Sequence, residues 1–166
     1  MLSVAGMVLA VAIPTFVAAL ETSKAAEATG QLDFLLRQSA SYYAVARPTQ
    51  AGKDAHCVPA TAGPHPAEPS VEPVPVDFSA PELAGASTWQ ALSFQPRAPL
   101  RYRYSLLVEG PSCLLEAVQP APTLILRAEG DLDGDGTYSR FERRARLLAN
   151  GEIQPEKLLR IYDRIE

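Results

Sequence analysis

The sequence predicts an α+β fold in which a long N-terminal helix packs on a small antiparallel β-sheet. Three patterns in the 166 residues indicate this fold. Leu2–Leu20 contains no charged residue, Glu21–Arg47 keeps apolar residues at helical spacing, and from Thr88 onward apolar residues alternate as they do in strands. We therefore expect three parts: an N-terminal helix over 1–47, a connecting loop over 48–87 and an antiparallel head over 88–166.

The apolar part of the predicted helix, residues 1–20, has the length of a membrane span. Its 19 uncharged residues would form a helix about 28 Å long, close to the hydrocarbon thickness of a bilayer. A secretory signal peptide begins with positive charge, whereas no Lys or Arg precedes Lys24. Pro14 removes a helical hydrogen bond, and lipid or neighbouring helices tolerate the resulting kink. A membrane anchor with no further role is the alternative.

The amphipathic part, residues 21–47, is expected to cover the sheet. Its apolar positions recur at steps of three and four residues, which places them on one stripe of a helix. These positions are Ala25, Ala28, Leu32, Leu35, Leu36, Ala40 and Tyr43.

The rest of the chain consists of a proline-rich segment followed by segments with the alternating pattern of strands. Val58–Pro81 contains seven prolines in 24 residues and is expected to be an extended, irregular surface loop. Strands are predicted at Leu100–Val108, Cys113–Val118 and Thr123–Ala128. Asn150-Gly151 favours a hairpin turn near the C-terminus, although an amphipathic terminal helix is the alternative.

Composition and the lack of catalytic motifs argue against two classes of function, nucleic-acid binding and catalysis. The chain has 15 Lys and Arg against 19 Asp and Glu, a net charge of −4, so nucleic acid is not an expected partner. With two histidines and no nucleophile elbow or phosphate loop, we do not expect an enzyme.

The two cysteines, Cys57 and Cys113, predict a disulfide in an oxidising compartment. Closing a loop of that size would stabilise the fold by about 4 kcal/mol in the chain-entropy model. Two unpaired thiols are the alternative. His56 and His65 are too few to complete a zinc site with these cysteines.

The strongest chemical signal is a twelve-residue calcium-type loop that begins at Asp131 and ends at Glu142. Gly136 stands at the sharp turn of this pattern, and a strand rather than an EF-hand helix is predicted before the loop. The cofactor is therefore expected to be a structural Ca²⁺; an acidic turn without metal is the alternative. The predicted ligands are Asp131, Asp133 and Asp135, the backbone carbonyl of Thr137, a water on Ser139, and both oxygens of Glu142.

The N-terminal residues also resemble a known family. Gly6, the run Ala12-Ile13-Pro14-Thr15-Phe16 and the segment Ser23–Ala28 resemble, in order and spacing, the N-terminal helix of type IV pilins and type II secretion pseudopilins. The resemblance extends from Leu2 to Tyr43. It implies a bacterial pilin-like fold and a structural subunit, of the minor type, of a type IV pilus or a type II secretion filament.

The same resemblance implies partners and a location. Other subunits would contact the N-terminal helix, with Gly6 and Pro14 in the kinked filament core. The chain would cross the inner membrane once, with its head in the periplasm, and would then enter an extracellular pilus or a periplasmic pseudopilus. The family's basic leader and the first residues of its mature helix would precede Met1. The alternative is a membrane-anchored calcium-binding envelope protein that does not polymerise.

Overall fold

The first helix, α1, comprises residues 24–43 of a computed structural model that describes residues 24–49 and 52–163. One stripe of α1 is completely buried, and its members follow one another at steps of three and four residues: Ala28, Leu32, Leu35, Ser39 and Tyr43. The predicted positions Ala25 and Leu36 pack at the margin of this stripe. The amphipathic pattern of the sequence is thus confirmed over these residues, because the stripe covers the core.

Antiparallel sheet is the main regular structure of the described chain. A six-stranded sheet contains β3 (Ala62–His65), β4 (Arg103–Glu109), β6 (Thr123–Gly130), β7 (Ser139–Leu147), β8 (Ile153–Pro155) and β9 (Arg160–Tyr162). Its order is β3-β4-β6-β7-β8, and β9 pairs with β7 beside β8. A second, three-stranded sheet contains β1 (Arg47–Pro48), β2 (Asp54–Cys57) and β5 (Cys113–Leu114), in the order β1-β2-β5.

The two faces of the six-stranded sheet differ because side chains alternate along each strand. Tyr104, Leu106 and Leu126 point to the inner face and are fully buried in the core together with the stripe of α1. Arg103 and Ser105 lie on the outer face. Asn150-Gly151 forms the turn between β7 and β8, so the predicted C-terminal hairpin is confirmed.

Polar contacts fasten α1 to the sheet along its length. Glu27 Oε1 accepts hydrogen bonds from the backbone N–H groups of Arg101 at 2.8 Å and Tyr102 at 3.3 Å. Six residues further along the helix, Asp33 pairs with Arg143 at 2.8 Å. At the end of the helix the Tyr43 hydroxyl donates to the carbonyl oxygen of Leu148 at 3.1 Å. The helix is therefore held in register with three different parts of the head.

The proline-rich segment is more ordered than a surface loop. It contributes β3 and carries Phe78, which is 1% exposed, into the core. Phe78 packs edge-to-face against Trp89 of the short helix α2 (Ala86–Ala91) and against Phe94, with ring centroids 5.2 and 4.7 Å apart. The burial of these aromatic rings stabilises a segment in which prolines prevent long helices and strands.

The predicted fold class is therefore wrong in its proportions. A long helix on a small sheet was expected, whereas the described chain is mostly antiparallel sheet with two short helices, α1 with 20 residues and α2 with six. The physical reason is that β1, β3, β8 and β9 are only two to four residues long, so they show no alternation that a sequence window can detect. The predicted apolar half, with Gly6 and Pro14, lies outside the described residues.

The predicted location also needs correction. Within residues 24–49 and 52–163, no helix has the length and apolar character that crossing a bilayer requires. The described residues therefore do not support the predicted single pass through the inner membrane with a periplasmic head, and the predicted span, residues 1–20, lies outside them.

Candidate calcium loop

The calcium-type sequence forms the connection between β6 and β7. Gly130 and Ser139 are paired residues at the ends of these strands, so the loop closes a hairpin. A strand precedes the loop, as the sequence predicted, and not the helix of an EF-hand.

The loop is folded by its own aspartates. The two carboxylate oxygens of Asp131 accept hydrogen bonds from the backbone N–H groups of Gly134 at 2.8 Å and Gly136 at 3.1 Å. Both glycines have positive φ, +80° and +86°, a conformation that side chains with a Cβ rarely adopt. The turn predicted at Gly136 is present, and Gly134 makes a second one.

The two following aspartates repeat this pattern with their own backbone neighbours. Asp133 Oδ1 accepts from the N–H of Asp135 at 3.2 Å, and Asp135 Oδ1 accepts from the N–H of Thr137 at 2.6 Å. Each carboxylate therefore has a fixed direction along the loop.

The three carboxylates converge. One oxygen from each of Asp131, Asp133 and Asp135 lies within 4.8 Å of the others; Asp131 is half-buried and the other two are exposed. Oxygens on opposite sides of a Ca²⁺ ion, at 2.3 to 2.6 Å each, are about 5 Å apart, so this spacing fits one shared ion. Hard carboxylate oxygens are also the donors that Ca²⁺ prefers. The donor set therefore fits calcium.

Glu142 is not brought to this triad. It lies inside β7, where its carboxylate accepts from Arg127 Nε and pairs with Arg127 Nη2, each at 2.9 Å, while Arg144 lies 3.8 Å away. In an EF-hand the exiting helix turns position twelve back toward the ion. Here an extended strand begins at Ser139, and three residues of strand carry the chain about 10 Å away.

Ser139 occupies a different position from the one that the pattern assigned. The Ser139 side chain is buried, and its hydroxyl donates to the carbonyl oxygen of Gly130 at 3.2 Å. It therefore closes the hairpin. Thr137 lies next to the triad, with its N–H bound to Asp135.

Residues outside the pattern hold the loop against the head. Leu132, the second loop residue, is 7% exposed and belongs to the core, and its carbonyl oxygen accepts from Lys24 Nζ of α1 at 3.3 Å. On the other side the Tyr138 hydroxyl donates to Glu68, and this hydrogen bond raises the pKa of Tyr138. These contacts leave no local pattern that sequence analysis could detect, because their partners are distant in the chain.

The second predicted site is present. Cys57 of β2 and Cys113 of β5 are directly opposite each other and form a disulfide, with Cα atoms 4.0 Å apart. Beside it, His56 Nδ1 lies 2.9 Å from the carbonyl oxygen of Tyr43 and must carry the proton, because a carbonyl only accepts. Of the residues described, only the aspartate triad gathers three metal-binding side chains.

Comparison of the chain with protein-family models, with curated proteins and with solved structures finds no match. The function must therefore be argued from the residues and their geometry.

Proposed function

We propose that this chain is a structural subunit, of the pilin or pseudopilin type, of a protein filament, with a head stabilised by calcium. The observation that carries the proposal is the docked helix α1. Its buried stripe and its contacts through Glu27, Asp33 and Tyr43 bind it firmly to the head. The uncharged sequence Leu2–Leu20 ends three residues before the first described residue of this helix and would supply apolar surface for contacts between subunits.

Calcium would act structurally in this protein. Asp131, Asp133 and Asp135 would hold the ion, which supplies positive charge between three carboxylates that otherwise repel one another. The loop contacts both the core, through Leu132, and α1, through Lys24. Ordering the loop would therefore stabilise the junction of helix and sheet, which suits a subunit that bears load. The function is structural, with no catalytic step.

Fractionation of cells that make such filaments tests the subunit proposal. Filaments are sheared from the cells, collected by ultracentrifugation and probed with an antibody to the purified chain. We expect the wild type in the filament fraction and Val11→Asp outside it, because a charge in the apolar stretch disfavours its burial. Val45→Asp, at a residue 56% exposed, is the matched control and should behave as the wild type. Wild-type protein found only in the soluble fraction would refute the proposal.

A calcium-binding protein that does not polymerise is the second candidate. The aspartate triad supports it equally, because a structural ion needs no filament. The two candidates differ in the fractionation experiment: this one expects Val11→Asp and wild type to fractionate alike, with neither in filaments.

A further inference from the structure

The loop between β4 and β6 reaches from the six-stranded sheet to the small sheet. It consists of residues 110–122 and contributes β5, whose strand partner is β2. The ladder between β4 and β6 continues up to the pair Glu109 and Thr123, so the six-stranded sheet fixes both ends of the loop. We call residues 110–122 the β4–β6 loop.

Most of the β4–β6 loop is exposed. From 110 to 121, Leu114 alone is buried, at 3% exposed. Leu115 and Val118 are large apolar residues, yet they are 51% and 38% exposed. Burial of one leucine does not offset the conformational entropy that is lost when about a dozen residues are ordered. Other contacts are therefore needed to hold the loop in place.

Contacts with β2 meet this need. The carbonyl oxygen of Ser112 accepts a hydrogen bond from the N–H of Val58, directly after β2, at 2.9 Å. The pairing of β5 with β2 comprises two residue pairs, which is short for a stable pair of strands. One of these pairs is Cys57 and Cys113, which the disulfide joins covalently. The disulfide is thus the main attachment of the β4–β6 loop.

The two cysteines differ in exposure. Cys113 is exposed on the loop, whereas Cys57 is half-buried in β2, the central strand of the small sheet. Thiol–disulfide exchange begins when a thiolate attacks one of the two sulfur atoms, and the rate depends on access to that sulfur. A thiolate carried by a protein therefore reaches Cys113 more easily than Cys57.

We propose that the disulfide is a redox-sensitive latch that a protein dithiol opens at Cys113. One thiolate of the dithiol forms a bond to Cys113 Sγ while the bond between the two cysteines breaks, and Cys57 leaves as a thiolate. The second thiolate of the dithiol then attacks its neighbour's sulfur in the mixed disulfide, and Cys113 leaves as a thiolate. The dithiol is oxidised to a disulfide, and its two protons pass through solvent to the two reduced cysteines.

Opening the latch frees the β4–β6 loop and leaves the six-stranded sheet folded. The ladder up to Glu109 and Thr123 does not involve the disulfide, so the base of the loop stays closed in both redox states. The freed loop exposes Leu114. β2 also loses one of its two neighbours, and β2 carries His56, whose Nδ1 binds the Tyr43 carbonyl oxygen at the end of α1. The redox state therefore changes how firmly the end of α1 is held.

Hydrogen exchange of the full chain measures the opening. The purified protein in non-ionic detergent is compared with and without dithiothreitol, a small dithiol. Reduction should accelerate exchange at the N–H of Val58 and in β5 by roughly 100-fold, because the disulfide no longer restricts local opening. Exchange in β6 should not change. Unchanged exchange at Val58 and in β5, or an equal acceleration in β6, overturns the proposal.

A double variant supplies the control for the reagent. Cys57→Ser with Cys113→Ser has no bond for dithiothreitol to break. Without the reagent its exchange should match that of the reduced wild type, and the reagent should not change it. A response of this variant to dithiothreitol would show that the reagent acts elsewhere, and the proposal would be wrong.

A trapping experiment identifies the sulfur that is attacked. The oxidised chain is incubated with a dithiol oxidoreductase whose second active-site cysteine is replaced by serine, so that the mixed disulfide persists. Free thiols are then alkylated and the peptides are mapped by mass spectrometry. We expect the oxidoreductase on Cys113 and the alkyl group on Cys57, and adducts at both cysteines when the chain is unfolded in urea. An adduct on Cys57 of the folded chain, or no adduct, overturns the proposal. The latch requires neither calcium nor a filament, so these results leave the proposed function to its own tests.

Discussion

Replacing Glu142 by glutamine distinguishes two roles of this residue: the calcium ligand that the sequence pattern predicts and the partner of Arg127 that the structure shows. The pattern makes Glu142 the ligand that closes the coordination sphere, whereas the structure places its carboxylate, 4% exposed, in contact with Arg127. We therefore expect Glu142→Gln to destabilise the fold and to leave calcium binding intact.

The magnitude follows from the contacts that are lost. Charged hydrogen bonds contribute about 1.5 to 3 kcal/mol each, and glutamine keeps one neutral oxygen that accepts from Arg127. We expect a loss of about 2 kcal/mol in the free energy of unfolding. For a chain of 166 residues this corresponds to a fall of about 4 to 8 °C in Tm, measured by circular dichroism with a chelator present.

Asp133→Asn is the matched control, because it also removes one carboxylate charge. It should abolish the heat of calcium binding in calorimetric titration, since it removes one of three converging ligands. Without calcium its Tm should equal or exceed that of the wild type, because the repulsion within the triad is reduced. With free calcium at 100 times Kd, the wild type should gain about 2.7 kcal/mol that this variant lacks.

Two patterns of results would refute this reasoning. If Glu142→Gln loses the calcium heat and keeps its Tm, Glu142 is a ligand and the ion pair with Arg127 is unimportant. If neither variant changes the heat, or the wild type gives none, the triad does not bind calcium.

Two further predictions concern stability. Replacing Cys57 and Cys113 together by serine should lower the free energy of unfolding by about 4 kcal/mol, from a closed loop of 56 residues, and a loss below about 1 kcal/mol in urea titration would contradict the chain-entropy account. Burial, and to a lesser degree the charge of Glu27, raises the pKa of Tyr102 and Tyr104 above that of the unfolded chain. Their contribution is therefore complete below about pH 10 and is lost as pH rises toward the folded pKa, so Tm should decline in this range. Tyr104→Phe should flatten that decline, and an unchanged slope would exclude this residue as its cause.

Local patterns determined several features of this protein. The stripe of α1 was predictable because a helix places every third or fourth residue on one side, and Leu32 and Leu35 are buried as expected. The strand before Asp131, the turn at Gly136 and the hairpin at Asn150-Gly151 were predictable from other local patterns. Each depends on neighbours within a few residues.

Other features required the folded chain. The strands β1, β3, β8 and β9 exist because longer partners hold them, and no pattern in two to four residues indicates this. The packing of Phe78 against Trp89 joins a residue of the proline-rich segment to the short helix that follows it. Sequence analysis treated that segment as surface because proline disfavours regular structure, which says nothing about burial.

The role of Glu142 shows most clearly which features local sequence determines and which the tertiary structure decides. Local spacing gave Asp131, Asp133 and Asp135, because these residues lie within one turn of the loop and curl together. The twelfth position depends on whether helix or strand follows, and the pairing of β7 with β6 makes it a strand. The sequence by itself thus determined the triad, and the sheet decided that Glu142 binds Arg127, because hydrogen bonding to β6 extends the chain away from the loop.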